Sequence, residues 1–168
     1  MEVELVSQPL ICGALSGRDF DRVEHNIRQW SAPIFADMWK FHNPLIFNEA
    51  YDHAALEVQK NQLIIHFNYD YWRKISQRQR CFTIVHEFLH YIFGHAHTPS
   101  TMDKEWANIA QDIQVNEYIH AHYPALTFKM KGRTSHAWVD TVFKKYSDGI
   151  SRDENYTYYY ELMQRCLT

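Results

Sequence analysis

The stretch from Thr83 to His97, TIVHEFLHYIFGHAH, sets His86, Glu87, His90, His95 and His97 among Ile84, Val85, Phe88, Leu89, Ile92 and Phe93. The apolar residues fit a helix buried around an active site, and a partly buried helix with solvated histidines is the alternative reading. Ser76 with Gln79 three residues on forms a capping box ahead of the run, and Gly94 offers a C-cap. The spacing therefore predicts one helix from about Gln77 to Phe93. On it His86 and His90, four residues apart, stand one above the other on the same face, where both imidazoles reach one ion. Glu87 is turned by about 100° from His86. That lets it address a water on the ion without being a ligand, as in H-E-x-x-H zinc hydrolases, and makes it a candidate general base. Gly94, one turn beyond His90, is expected to give the ion clearance as well as to cap.

A catalytic zinc usually takes three protein ligands and keeps a position for water, so a third ligand is needed. A second long helix is predicted from near Asp103 through KEWANIAQDIQVNEYIHAHY, stopping by Tyr123 because Pro124 cannot continue it. With Ile109 as centre, Trp106, Asp112, Ile113, Asn116 and Ile119 fall within an arc of about 140° that should face the core. A carboxylate on that face needs coordination or pairing, which makes Asp112 the candidate third ligand. Asn116, one turn further, is expected to hold His86 or His90 in the correct tautomer. His95 is the rival third ligand, since it follows the Gly94 cap and can swing back. His97 reads as a rim residue. The metzincin pattern needs its third histidine where this chain has Ala96, so that family is not matched. Glu105 and Glu117 point away from the Asp112 stripe. Tyr118, Tyr123, His97 and His136 stand unranked as oxyanion donors.

Elsewhere, Phe20, Val23, Ile27 and Trp30 recur at helical spacing and predict a first helix over about Asp19 to Trp30, ending near Pro33. AALEVQKNQLIIHF reads as a hairpin turning at Lys60-Asn61, with Leu63, Ile65 and Phe67 on one face. The strand ending at Phe67 is expected at the sheet edge, where an extended peptide can add. The segment from Pro124 to Gly149 reads as loop, and Ser151 with Glu154 predicts a last helix from Arg152. A length of 168 residues fits one domain, 1–168, with a sizeable core. A net charge of -3 without a basic run argues against nucleic acid or an anionic membrane as partner. Cys12, Cys81 and Cys166 are odd in number and far apart, which fits packing residues in a reducing compartment. The start, MEVELVSQPL, lacks a leader pattern, and no span approaches the roughly 20 apolar residues of a membrane helix. A cytoplasmic protein is expected.

The run LIIHFNYDYWRKISQRQRCFTIVHEFLHYIFGH, followed by WANIAQDIQVNEYI, resembles the predicted metallopeptidase domain that often precedes a von Willebrand A-like domain in bacterial and phage proteins. That family pairs a hairpin and an HExLHxxxGH helix with a later WNxAxDxxxN helix. The likeness covers roughly Val58 to Ile119, with an echo of the closing helix in SRDENYTYYYEL. It implies an α+β, zincin-like fold in which a small antiparallel or mixed sheet packs on the active-site helix and a second long helix. It also implies Zn2+ on His86, His90 and Asp112, with Glu87 as base and a peptide or protein as substrate. Two other readings stand beside this one: a non-catalytic binding or scaffold module on the same fold, and a regulatory protease that cuts one partner protein.

Overall fold

The computed structural model describes residues 15–42, 45–130 and 136–168. The expectations for the leader and for Cys12 lie outside those residues. Among them the chain is α+β, with seven α-helices and one mixed three-stranded sheet. It divides into two compact units, one ending at Phe88 and the other beginning at Leu89.

In the first unit, helix α1 (Gly17–Trp30) is capped by Ser16, whose hydroxyl accepts from the Asp19 N–H at 3.1 Å. Helix α2 (Pro33–His42) follows at once. Pro33 ends the first helix as expected but also opens a second one, since at a first helical position its missing N–H costs nothing. The pair is joined by Phe20 stacked on Trp39 at 4.9 Å and by the Trp39 indole donating to the Phe20 carbonyl. Val23, Ile27, Phe35, Ala36 and Trp39 are buried.

Strands β1 (Leu45–Phe47), β2 (Ala54–Gln59) and β3 (Gln62–Phe67) lie in the order β1-β3-β2. The hairpin has the expected turn, with Gln59 opposite Gln62 and Lys60 at φ 51°. The strand ending at Phe67 is not an edge, however. Parallel β1 pairs with it through Leu45, Ile46 and Phe47, so β1 and β2 are the edges. Three residues are too few to show an alternating pattern, which is why β1 was not anticipated. Helix α3 (Tyr69–Lys74) is capped by Asn68 and sets Trp72 edge-on against Phe47 at 5.7 Å and Phe67 at 4.9 Å.

Helix α4 (Gln77–Ile92) carries the histidine-rich stretch and runs through the division between the units. Its capping box forms as expected: Gln79 N–H donates to Ser76 Oγ at 3.1 Å, and Ser76 N–H to Gln79 Oε1 at 3.0 Å.

In the second unit, Gly94 leads into a 3-10 turn (His95–His97), followed by helix α5 (Lys104–His122) between the caps Asp103 and Tyr123. Helix α6 (Val139–Phe143), a 3-10 turn (Lys144–Tyr146) and helix α7 (Tyr156–Cys166) complete it. Thus the segment read as loop contains α6. Ala107, Ala110 and Ile113 of α5 form a core with Val139, Phe143, Tyr159, Tyr160 and Met163.

Helix α7 starts four residues later than the Ser151 signature suggested. Asn155 caps it, accepting from Thr157 N–H at 3.0 Å. Tertiary partners claim the earlier residues: Arg152 reaches Asp140 at 2.7 Å and Glu117 at 3.5 Å, and the Ser151 carbonyl accepts from the Tyr159 hydroxyl. No helix among the described residues is long and apolar enough to cross a membrane.

Candidate metal centre

Helix α4 supplies His86 and His90 one turn apart, with Glu87 between them and buried. The Phe82 ring, one turn before His86, lies 5.8 Å from the His86 ring. Helix α5 supplies Asp112, whose Oδ1 sits 3.0 Å from His90 Nε2. One ligand atom from each of His86, His90 and Asp112 lies within 4.8 Å of the others, so the group can hold a metal ion. In a tetrahedral site with bonds of about 2.0–2.2 Å, neighbouring ligand atoms are roughly 3.3 Å apart, close to the His90 and Asp112 spacing. Two imidazoles and a carboxylate also form a donor set that zinc favours.

Asp112 is expected on a buried face, and Ile113, Asn116 and Ile119 of that arc are buried, but its own side chain is 42% exposed. Burial therefore does not by itself force Asp112 into coordination. Geometry, not desolvation, is what brings it to the histidines.

His95 is buried but lies outside the ligand group. Its Nδ1 is 2.8 Å from His90 Nδ1, and its Nε2 is 2.7 Å from Gln114 Oε1. Gln114 Oε1 also accepts the backbone N–H of Tyr156 at 3.1 Å. The His95 ring is walled by Phe93 at 5.8 Å and by Tyr156 at 5.2 Å. The turn that returns it to His90 depends on Gly94, which is left-handed at φ 73°. A Cβ added there would meet no protein atom within 4 Å, so it is the left-handed backbone that calls for glycine at this position. The 3-10 turn is further tied to α5 by Gln111, whose amide donates to Thr98 Oγ1 at 2.7 Å.

Asn116 is buried, and its Nδ2 donates to the Ala137 carbonyl at 2.9 Å. It therefore braces the segment entering α6, and any hold on an imidazole falls to its Oδ1 alone. Glu117, set aside on the helical wheel, is buried too: it accepts from Val139 N–H at 2.9 Å and pairs with Arg152. The bond from Arg152 to Asp140 raises the guanidinium's pKa, against the opposing effect of burial. Glu105 is exposed in the first turn of α5, and His97 is exposed on the 3-10 turn. Tyr118 packs against Phe93 at 5.2 Å and His122 at 4.1 Å, with Tyr123 beside it.

Gln114 and Tyr156 went unnoticed in the sequence. A glutamine two residues after Asp112 belongs to no motif, and a backbone N–H has no sequence signature, so only the tertiary fold could show them. Compared with known proteins, the chain has no matching family model, and no curated protein or solved structure matches it.

Proposed function

We propose that the protein is a zinc-dependent peptidase of the zincin type. The observation that carries this reading is the grouping of His86, His90 and Asp112 within 4.8 Å beside the buried Glu87. A bound zinc ion would polarise a peptide carbonyl and make water acidic near neutral pH. The residues of the chain do the rest. His86 and His90 present neutral nitrogens from one helix face, and Asp112 brings a negative charge that offsets part of the ion's own. Glu87, one residue from a ligand, takes the proton of the attacking water and returns it to the leaving amine.

Zinc content of purified protein and cleavage of labelled casein test the proposal. Zinc-loaded protein should bind about one ion per chain and lose it in Asp112→Ala. Glu87→Gln should keep the ion while hydrolysis falls by about 10²- to 10⁴-fold, the usual weight of a general base. Protein that binds no zinc overturns the reading. Equal rates in wild type and Glu87→Gln would remove Glu87 from the mechanism.

A further inference from the structure

We propose that His95 is the positioning residue of the metal centre: it fixes the tautomer and orientation of His90, and Gln114 fixes His95 in turn. The idea rests on His90 being a ligand, as above, and its logic starts from a donor whose identity is not in question. The Tyr156 backbone N–H can only donate, so the Gln114 atom it meets at 3.1 Å must be the carbonyl oxygen, which can only accept. His95 Nε2, 2.7 Å from that same oxygen, must therefore carry a hydrogen. A His90 that gives its Nε2 lone pair to an ion keeps its ring proton on Nδ1, which makes His95 Nδ1 the acceptor. The proton in the 2.8 Å contact between the two Nδ1 atoms then belongs to His90. His90 Nε2, the nitrogen turned to the ion, faces a carboxylate oxygen of Asp112 at 3.0 Å.

With an ion held there, both atoms give it a lone pair, and the bond from His90 Nδ1 to His95 keeps the ring in that orientation. The outer nitrogen of a ligating histidine commonly donates to a carboxylate or carbonyl. Here a second imidazole, walled by Phe93 and Tyr156, plays that part. The left-handed Gly94 is what brings it there, five residues after the ligand.

Chelator competition with zinc alone measures the effect. His95→Leu should bind zinc roughly 10- to 100-fold more weakly, the usual cost of losing such a partner. His95→Asn should stay within about threefold of wild type, because its Oδ1 can accept from His90 Nδ1 much as the imidazole nitrogen did. If His95 were itself a ligand, Asn would lose as much as Leu, and that result overturns the proposal. Affinity in His95→Leu equal to wild type, with binding still dependent on His90, also overturns it and leaves the zinc site standing. Wild type that binds no zinc, or His90→Ala that binds as well as wild type, removes the metal reading itself. Long-range proton–nitrogen NMR on zinc-bound wild type needs no variant to fold: it should find the protons on His90 Nδ1 and His95 Nε2, and the reverse pattern overturns the proposal.

Discussion

Asn116 shows how one hydrogen bond redirects a prediction. From the helical wheel its removal should weaken metal binding, with an aspartate as the milder substitution. Its Nδ2 donates to the Ala137 carbonyl and the residue is only 1% exposed, so the two substitutions also carry a cost in stability, in the opposite order. Asn116→Ala should cost about 1 kcal/mol of stability by removing the donor to the part-buried Ala137 carbonyl. Asn116→Asp should cost more, because it sets a carboxylate oxygen against that carbonyl. Urea titration of both variants checks the order, and a more stable Asp variant would contradict the Ala137 bond. Cys81 is a second case. Burial pushes its thiol from 9.0 up to about 12. The folded state thus keeps a proton that the unfolded chain releases, and the stability this contributes is complete below pH 9 and falls as pH rises toward 12. The loss is at most about 1.4 kcal/mol per pH unit. Between pH 8 and 10.5, Cys81→Ala should lose less stability than wild type in urea titrations. Native Cys81 should also resist a thiol reagent at pH 8 until the protein unfolds; rapid labelling would contradict its burial.

At the scale of the element, the end of α4 decides whether His95 meets His90. Gly94 N–H donates to the Tyr91 carbonyl, and His97 N–H to the Gly94 carbonyl, while φ at Gly94 stays at 73°. An L-residue there costs about 1–2 kcal/mol, since its Cβ crowds its own backbone in the left-handed region. Gly94→Ala should therefore lower stability by that amount, while Gly94→Asn should lose less, because asparagine tolerates this conformation. Thermal melts of the two variants test the claim. An alanine variant as stable as wild type would mean that the turn is not left-handed in solution. The capping box at Ser76 and Gln79, the Asp103 cap and the Gly94 stop were all legible in the sequence, because capping depends on residues three or four apart. The start of α7 was not, since Arg152 is drawn away by Asp140 and Glu117, residues distant in the chain.

For the whole molecule, the packed clusters of each unit consist of apolar and aromatic side chains, such as Trp39 on Phe20 in the first and Tyr159 with Ala110 and Ile113 in the second. None of these needs an ion to pack. Zinc removal should therefore leave the far-ultraviolet circular dichroism spectrum unchanged while lowering the melting temperature. At free zinc about 100 times Kd the ion adds about 2.7 kcal/mol to stability. For a chain of this length that corresponds to about 5–10 °C. Calorimetry with zinc and with excess chelator measures the shift. Equal melting temperatures would deny a site specific to the folded state, and collapse of the spectrum would make the ion part of the fold.

What the sequence determined by itself is local. The helical span of α4, the vertical pairing of His86 and His90, the place of Glu87 and the limits of α5 follow from helix periodicity and caps, whose interactions close within one or two turns. The hairpin at Lys60-Asn61 belongs here as well. The tertiary structure decided what depends on residues far apart in the chain. It made β3 central by laying Leu45–Phe47 beside it, and turned α5 so that a half-exposed Asp112 reaches His90. It also brought Gln114 and the Tyr156 backbone to His95. The physical reason is that a helical wheel gives the angle of a side chain about its own axis but not which neighbour the axis lies against. A hydrogen bond to a backbone group 42 residues away leaves no trace in the pattern of residue types.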